Sequence, residues 1–229
     1  MTGSEPPPRA ADPLITEPAS AADPAPAGEP APPEVVFRRF GAAAELLVRY
    51  AGWLAGPGTV RGLLGPREVS RLWERHLLNS VAVAELVPSD ARLVDIGTGA
   101  GLPGLAMACV RPDLSVDLVE SLLRRTDFLT EVVTALELTD RVRVIRGRAE
   151  DIDVRNKVGS AQFVTARAVA PLDRLVRWSF PLLRPGGSLL AVKGASAEDE
   201  LTEHQQFLTR MRAEVMGVIE CGAELVDPP

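Results

Sequence analysis

Val94-Asp95-Ile96-Gly97-Thr98-Gly99-Ala100-Gly101-Leu102-Pro103-Gly104 is the stretch whose chemistry decides the fold. It ends an apolar run with strand character at 91–96 and opens an apolar segment with helix character at 102–110. Glycine at a strand-to-helix turn lets the backbone bend sharply and lets a ligand approach the helix amides behind it. A dinucleotide-binding fingerprint needs glycine at its first, third and sixth positions. Counted from Gly97, the sixth position is Leu102, so that fingerprint fails. Glycine alternates instead at 97, 99 and 101, with the acid Asp95 two residues before the first.

Outward from this loop, strand-like and helix-like segments alternate. Strands are predicted at 91–96, 115–120, 141–145, 162–166, 188–192 and 214–219. Helices are predicted at 102–110, 122–138, 171–183 and 197–213, with a helical turn near 150–154. That order implies an α/β fold with a doubly wound, mostly parallel sheet over 89–229. Upstream, Phe37, Phe40, Ala44, Leu47, Val48, Ala51 and Leu54 recur at helical spacing until Gly56-Pro57-Gly58. A second helical stretch runs from Pro66 to Pro88, which gives a small helical subdomain over 34–88. Residues 1–33 hold 10 of the 20 prolines, with Leu14 and Ile15 as the large apolar side chains. Such a segment buries too little surface to offset its chain entropy, so a disordered tail is expected there.

Composition narrows the function classes. The 229 residues are 46% hydrophobic and 24% charged, enough for one globular domain with a small accessory piece. No apolar run reaches the ~18 residues of a membrane span, and no basic segment followed by an apolar run marks a secretory leader. Two cysteines, Cys109 and Cys221, and two histidines, His76 and His204, make neither a disulfide framework nor a zinc motif. A cytoplasmic protein without a metal is therefore expected. Of the net charge of −6, the first 33 residues carry −4, so the body is near neutral and argues neither for nor against nucleic acid. Its basic residues are arginine apart from Lys157 and Lys193, and arginine is the better phosphate fork.

Alternating glycines behind an acid resemble the motif of S-adenosylmethionine-dependent methyltransferases, and hence a Rossmann-like fold. The ammonium of that cofactor suits Asp95, directly or through water. Glu120 ends the second strand, 25 residues after Asp95, where its carboxylate would accept two ribose hydroxyls. The third strand leads to Arg146-Gly147-Arg148-Ala149-Glu150-Asp151, where the adenine edge would lie, with Glu150 either facing ligand or capping the turn. The fourth leads to Thr165-Ala166-Arg167-Ala168, the expected reaction centre. The Asp-Pro-Pro-aromatic motif of exocyclic-amine methylases is missing there. Asp227-Pro228-Pro229 lacks the aromatic and lies far from the reaction centre in sequence. Cys109 and Cys221 read as structural rather than as nucleophiles for cytosine C5.

Over about residues 66–200 the chain resembles the bacterial 16S ribosomal RNA guanine-N7 methyltransferase family, also called glucose-inhibited division protein B. Its marks are Arg75-His76-Leu77-Leu78-Asn79-Ser80, the loop with its Leu102-Pro103-Gly104 ending, and Glu120-Ser121-Leu122 before Arg124-Arg125 and Phe128-Leu129. Ala149-Glu150, Arg167-Ala168 and Val192-Lys193-Gly194 complete the set. The resemblance implies S-adenosyl-L-methionine contacts at Gly97, Leu102, Ala149, Glu150 and Arg167. Asp95, Gly99 and Glu120 join them on the physical reading above. It implies 16S rRNA as substrate, with one guanine converted to 7-methylguanosine; that RNA is expected within the small ribosomal subunit, and the enzyme is expected to be a monomer. Loss of that methyl is associated with streptomycin resistance.

Guanine N7 offers a free in-plane lone pair, so placement alone can carry catalysis and no acid–base pair is required. Arg167 and Lys193 would position the substrate through guanine O6 or neighbouring phosphates. Arg61, Arg67, Arg71, Arg75, Arg124 and Arg125 are candidate RNA contacts. Two departures stand out. Trp53-Leu54-Ala55-Gly56 and the glycine-rich 58–65 replace the family's Trp-Asn-Lys and Asn-Leu-Thr segments, which bears on RNA docking and not on the cofactor. No β-branched run follows Val226, so the domain is expected to lack the antiparallel strand that usually closes such folds. A small-molecule methyltransferase, or a non-catalytic nucleotide-binding module on the ribosome, would use the same loop.

Overall fold

In the computed structural model, residues 30–225 are described. Strands β1 (Arg92–Ile96), β2 (Ser115–Glu120), β3 (Val142–Arg146), β4 (Ala161–Arg167) and β5 (Leu183–Val192) lie in the order β3-β2-β1-β4-β5. Every pairing is parallel. β1 and β2 are buried on both faces, as apolar runs in a parallel sheet must be. The chain reverses its direction of travel across the sheet between β1 and β4, the switch point where such sheets take ligands. The glycine loop leaves β1 at that point.

Helices α1 (Glu34–Phe40) and α2 (Ala43–Trp53) replace the single helix predicted upstream, because Gly41 turns the chain at φ +54°. The stretch from Pro66 to Leu86 is likewise not one α-helix. A tight turn over Pro66–Arg71 leads into a widened i→i+5 helix over Leu72–Leu78, then α3 (Asn79–Ala82) and a final tight turn. Downstream come α4 (Gly104–Val110), α5 (Leu123–Ala135), α6 (Ile152–Val158), α7 (Leu172–Ser179) and α8 (Ala197–Arg210). Arg184-Pro185-Gly186-Gly187 bulges out of β5, whose register against β4 jumps from Ala161↔Leu183 to Phe163↔Ser188.

The strand predicted at 214–219 does not form. No neighbouring strand offers it a ladder among the described residues, Gly217 breaks it at φ +103°, and Met216 is 78% exposed. Residues 1–29 of the predicted tail, and the Asp227-Pro228-Pro229 ending, lie outside the described residues. Pro30, inside them, accepts a hydrogen bond on its carbonyl from Trp73 Nε1 at 2.9 Å.

Every residue of α4 is buried. A helix apolar on all sides must be covered on all sides, and α4 lies between the sheet and α2 and α3. Leu47, Tyr50, Leu77 and Val81 of the helical segment therefore share one core with Leu93, Leu105, Met107, Leu118 and Phe128. The opposite face of the sheet packs Val94, Ile96, Val119 and Val164 against Val154, Val158 and Leu175 of α6 and α7.

Candidate active site

The glycine loop is braced from three sides. From inside, Asp95 Oδ2 accepts the Thr98 hydroxyl at 2.5 Å and the Gly104 amide at 2.8 Å. From the next strand, Glu120 Oε2 accepts the Gly99 amide at 3.1 Å, while its Oε1 takes the Leu122 amide at 2.9 Å. From the helical segment, the Tyr50 hydroxyl donates to the Ala100 carbonyl at 2.8 Å. Tyr50 is fully buried, and that burial pushes its hydroxyl well above its ordinary value.

The glycines divide by duty. A Cβ on Gly104 would stand 2.6 Å from Asp95 Cβ, and one on Gly101 would stand 2.6 Å from the Tyr50 hydroxyl. Those two permit close packing. Gly99 differs: at φ +63° its missing Cβ faces open space, with only the Gly97 carbonyl at 4.0 Å. Glycine there keeps the front of the loop clear.

Asp95 is wholly buried, yet its Oδ1 has no hydrogen-bond partner among the described residues. Burial pushes its carboxyl up to about 7, against the pull of Thr98, Gly104 and Arg167. A buried oxygen without a partner is costly, and a donor brought by a ligand would relieve it. This orphan oxygen, the clear space before Gly99 and the carboxylate of Glu120 suit a cofactor carrying an ammonium and a ribose.

Leu102 is buried in the core and its amide donates to Thr98, so any cofactor contact there would be local to the loop backbone. Ala149 packs into the core on the α6 side of the sheet. Glu150 does not cap the following turn; Asp151 stands at the head of α6, and its side chain accepts the preceding Arg148 amide at 2.9 Å rather than an amide of the helix. The Glu150 carboxylate is part-exposed beside Arg148.

Register explains where Arg167 points. Thr165 pairs with Asp95, so Arg167, two residues on, projects from the same face as Asp95, toward the helical segment. Its Nη1 donates to the His76 carbonyl and to Ser80 Oγ, both at 3.2 Å, and its Nη2 donates to His76 Nδ1 at 2.9 Å. His76 Nε2 lies 2.8 Å from Glu68 Oε2. The next residue, Ala168, holds φ +54°, a conformation that costs an L-residue roughly 1–2 kcal/mol and that collects at functional sites.

Lys193 is not brought to this centre. Val192 pairs with Arg167, so the residue after it turns to the other side of the sheet. There Lys193 Nζ donates to Glu200 Oε1 at 2.9 Å and to the Ala170 carbonyl at 3.0 Å. Among the candidate RNA contacts, Arg61 is bound by both oxygens of Glu131, Arg75 lies 3.6 Å from Glu68, and Arg125 lies 3.4 Å from Glu120. Arg67, Arg71 and Arg124 are exposed. Tyr50 and Glu68 join this arrangement without any signal in the sequence, whereas His76, Ser80 and Thr98 stand inside the quoted segments but carry no assigned role there.

No helix among the described residues is long and apolar enough to cross a membrane, and no three ligating side chains gather there for a metal. The family model for rRNA small subunit methyltransferase G matches residues 43–226. A ribosomal RNA small subunit methyltransferase G from Mycobacterium marinum is 53% identical over 190 residues, covering 83% of this chain and 82% of that protein. One from Salinispora tropica is 54% identical over 195 residues, covering 83% and 80%, and one from Thermobifida fusca is 53% identical over 197 residues, covering 86% and 81%. With its loop, strand-end acid and Arg167 at the carboxyl ends of three neighbouring strands, and with these matches over most of its length, the chain belongs to the rRNA small subunit methyltransferase G family.

Proposed function

We propose that the protein transfers a methyl group from S-adenosyl-L-methionine to N7 of a guanine in 16S rRNA, acting on the small ribosomal subunit in the cytoplasm as a monomer without a metal. The observation that carries this reading is the carboxyl end of the strands: a glycine loop with clear space before Gly99, braced by Glu120 and by Asp95, whose buried Oδ1 lacks a partner among the described residues, in a member of this family. Asp95 would take the ammonium and Glu120 the ribose hydroxyls, with Gly97, Gly99, Leu102, Ala149 and Glu150 lining the cofactor. Bound there, the cofactor supplies an electrophilic methyl on a sulfonium.

Guanine N7 would take that methyl with its own lone pair. No proton has to leave N7, so the site needs no general base. Arg167 would hold guanine O6 or an adjacent phosphate. Its bonds to His76 and Ser80 occupy three of five N–H groups, leaving Nε–H and one Nη2–H with no partner among the described residues.

The test offers methyl-labelled cofactor to purified small subunits lacking the modification and to a metabolite extract. Mass spectrometry of the 16S rRNA should find one new 7-methylguanosine. Label in small molecules alone would favour the small-molecule enzyme, and cofactor binding without transfer would favour a non-catalytic module.

A further inference from the structure

Arg167 reaches across 91 residues of chain to a partner that can hold it in one protonation state only. Arginine has no acceptor, so a bond between its Nη2 and His76 Nδ1 requires a lone pair on Nδ1. The ring proton then sits on Nε2, where Glu68 accepts it at 2.8 Å. Ser80 closes the arrangement, donating to the His76 carbonyl at 2.5 Å while its oxygen accepts from Arg167. His76 lies in the widened helix Leu72–Leu78, a geometry that recurs at functional sites.

We propose that His76 is a positioning residue for the transfer: the neutral imidazole, its tautomer set by Glu68, aims Arg167 at the substrate end of β4 and lets go of its Nη2 when protonated, so that the aim is lost. The proposal rests on the function proposed above. The charged groups around the ring are Glu68, which favours its protonation, and Arg167 and Arg75, which oppose it. A proton on Nδ1 would set a donor against a donor and a cation against the guanidinium. Burial, the largest influence, also holds the imidazole below its ordinary value, so the neutral acceptor prevails at neutral pH.

Two measurements on the full chain decide it. The first needs no activity. With only His76 and His204 in the sequence, long-range ¹⁵N spectra resolve the His76 ring, and His204→Gln assigns it. The Nε2–H tautomer is expected, with a midpoint that rises in Arg167→Met and falls in Glu68→Gln. A midpoint unmoved by Arg167→Met would overturn the proposal.

The second measures transfer to small subunits with cofactor saturating. The wild-type rate should fall as pH drops through the His76 midpoint. His76→Gln, whose carbonyl accepts from Arg167 and whose amide donates to Glu68, should keep most of the rate at pH 7.5 and lose that acid limb. His76→Phe should lose kcat by about 100-fold, as expected of a misplaced positioning group, with cofactor affinity unchanged. A wild-type acid limb in His76→Gln, or wild-type kcat in His76→Phe, overturns the proposal. If the wild type transfers no methyl to N7, the proposed function fails, and the spectra alone decide whether His76 holds Arg167.

Discussion

The Gly99 amide donates to Glu120 Oε2 at 3.1 Å, so the acid at the end of β2 and the glycine loop after β1 are one hydrogen-bonded unit. Glu120 is only 3% exposed, and Arg125 stands beside it at 3.4 Å. Its carboxylate therefore shapes the loop, and in the proposed site the same oxygens would accept the ribose hydroxyls.

Glu120→Ala should weaken S-adenosylmethionine binding at least tenfold, because both the ribose acceptor and the loop's brace disappear. It should also cost about 1–3 kcal/mol of stability, since the Gly99 and Leu122 amides lose their acceptors. Calorimetric titration and urea unfolding check the two effects. Wild-type affinity would remove Glu120 from the site.

Gly104→Ala and Gly99→Ala should separate stability from binding. The first puts a methyl within 2.6 Å of Asp95 Cβ and 2.9 Å of Leu118 Cδ2, so overpacking should cost about 1–3 kcal/mol. The second meets open space and costs only the strain of φ +63°, about 1–2 kcal/mol. Its new methyl stands where ligand would lie. Gly99→Ala should therefore lose more cofactor affinity, and Gly104→Ala should melt at least as early. Equal affinity losses would contradict the division of duties.

The sheet and the loop are legible in the sequence because their signals are local: Gly97, Gly99 and Gly101 sit within five residues, and each strand is a short apolar run. The run at 214–219 misleads because β-branched content reports a residue's preference, whereas a strand also needs a neighbour to pair with. The hold on Arg167 is illegible for the opposite reason. Glu68, His76 and Arg167 are brought together only by tertiary packing, and their sequence signal is no more than the pairs Arg75-His76 and Arg167-Ala168. Lys193 looks like a partner of Arg167 because both follow strands; the alternation of side chains across the sheet separates them.

Lys193→Met and Glu200→Gln should each lower stability by about 1–3 kcal/mol and should be strongly non-additive when combined. They break one part-buried pair, at 2.8 Å, that also ties α8 to the Leu172 amide at the start of α7. Cofactor affinity should be unchanged in both, because the pair lies across the sheet from Asp95 and Arg167. A loss of affinity in Lys193→Met without loss of stability would return Lys193 to the site.

Asp95 should make both stability and cofactor binding depend on pH near neutrality. Its folded carboxyl titrates at about 7 against an ordinary value of 3.8, with burial as the main cause. Between those values the folded state binds the proton and the unfolded chain does not. The resulting stabilisation is full below the unfolded value and is lost as pH rises through about 7. Asp95→Asn keeps an oxygen for Thr98 and Gly104 without the ionisation, so relative to the wild type it should gain stability as pH rises from 3.8 to about 7, and the gain should level off above that. Cofactor binding should run the other way. An ammonium at Oδ1 favours the carboxylate, so binding at pH 6 must expel a proton, and affinity should rise toward pH 7 by up to about tenfold per unit. Calorimetry at pH 6 in two buffers of different ionisation enthalpy counts that proton directly. One released proton in the wild type and none in Asp95→Asn is the expected pair; no release in the wild type would mean that the ammonium is held elsewhere.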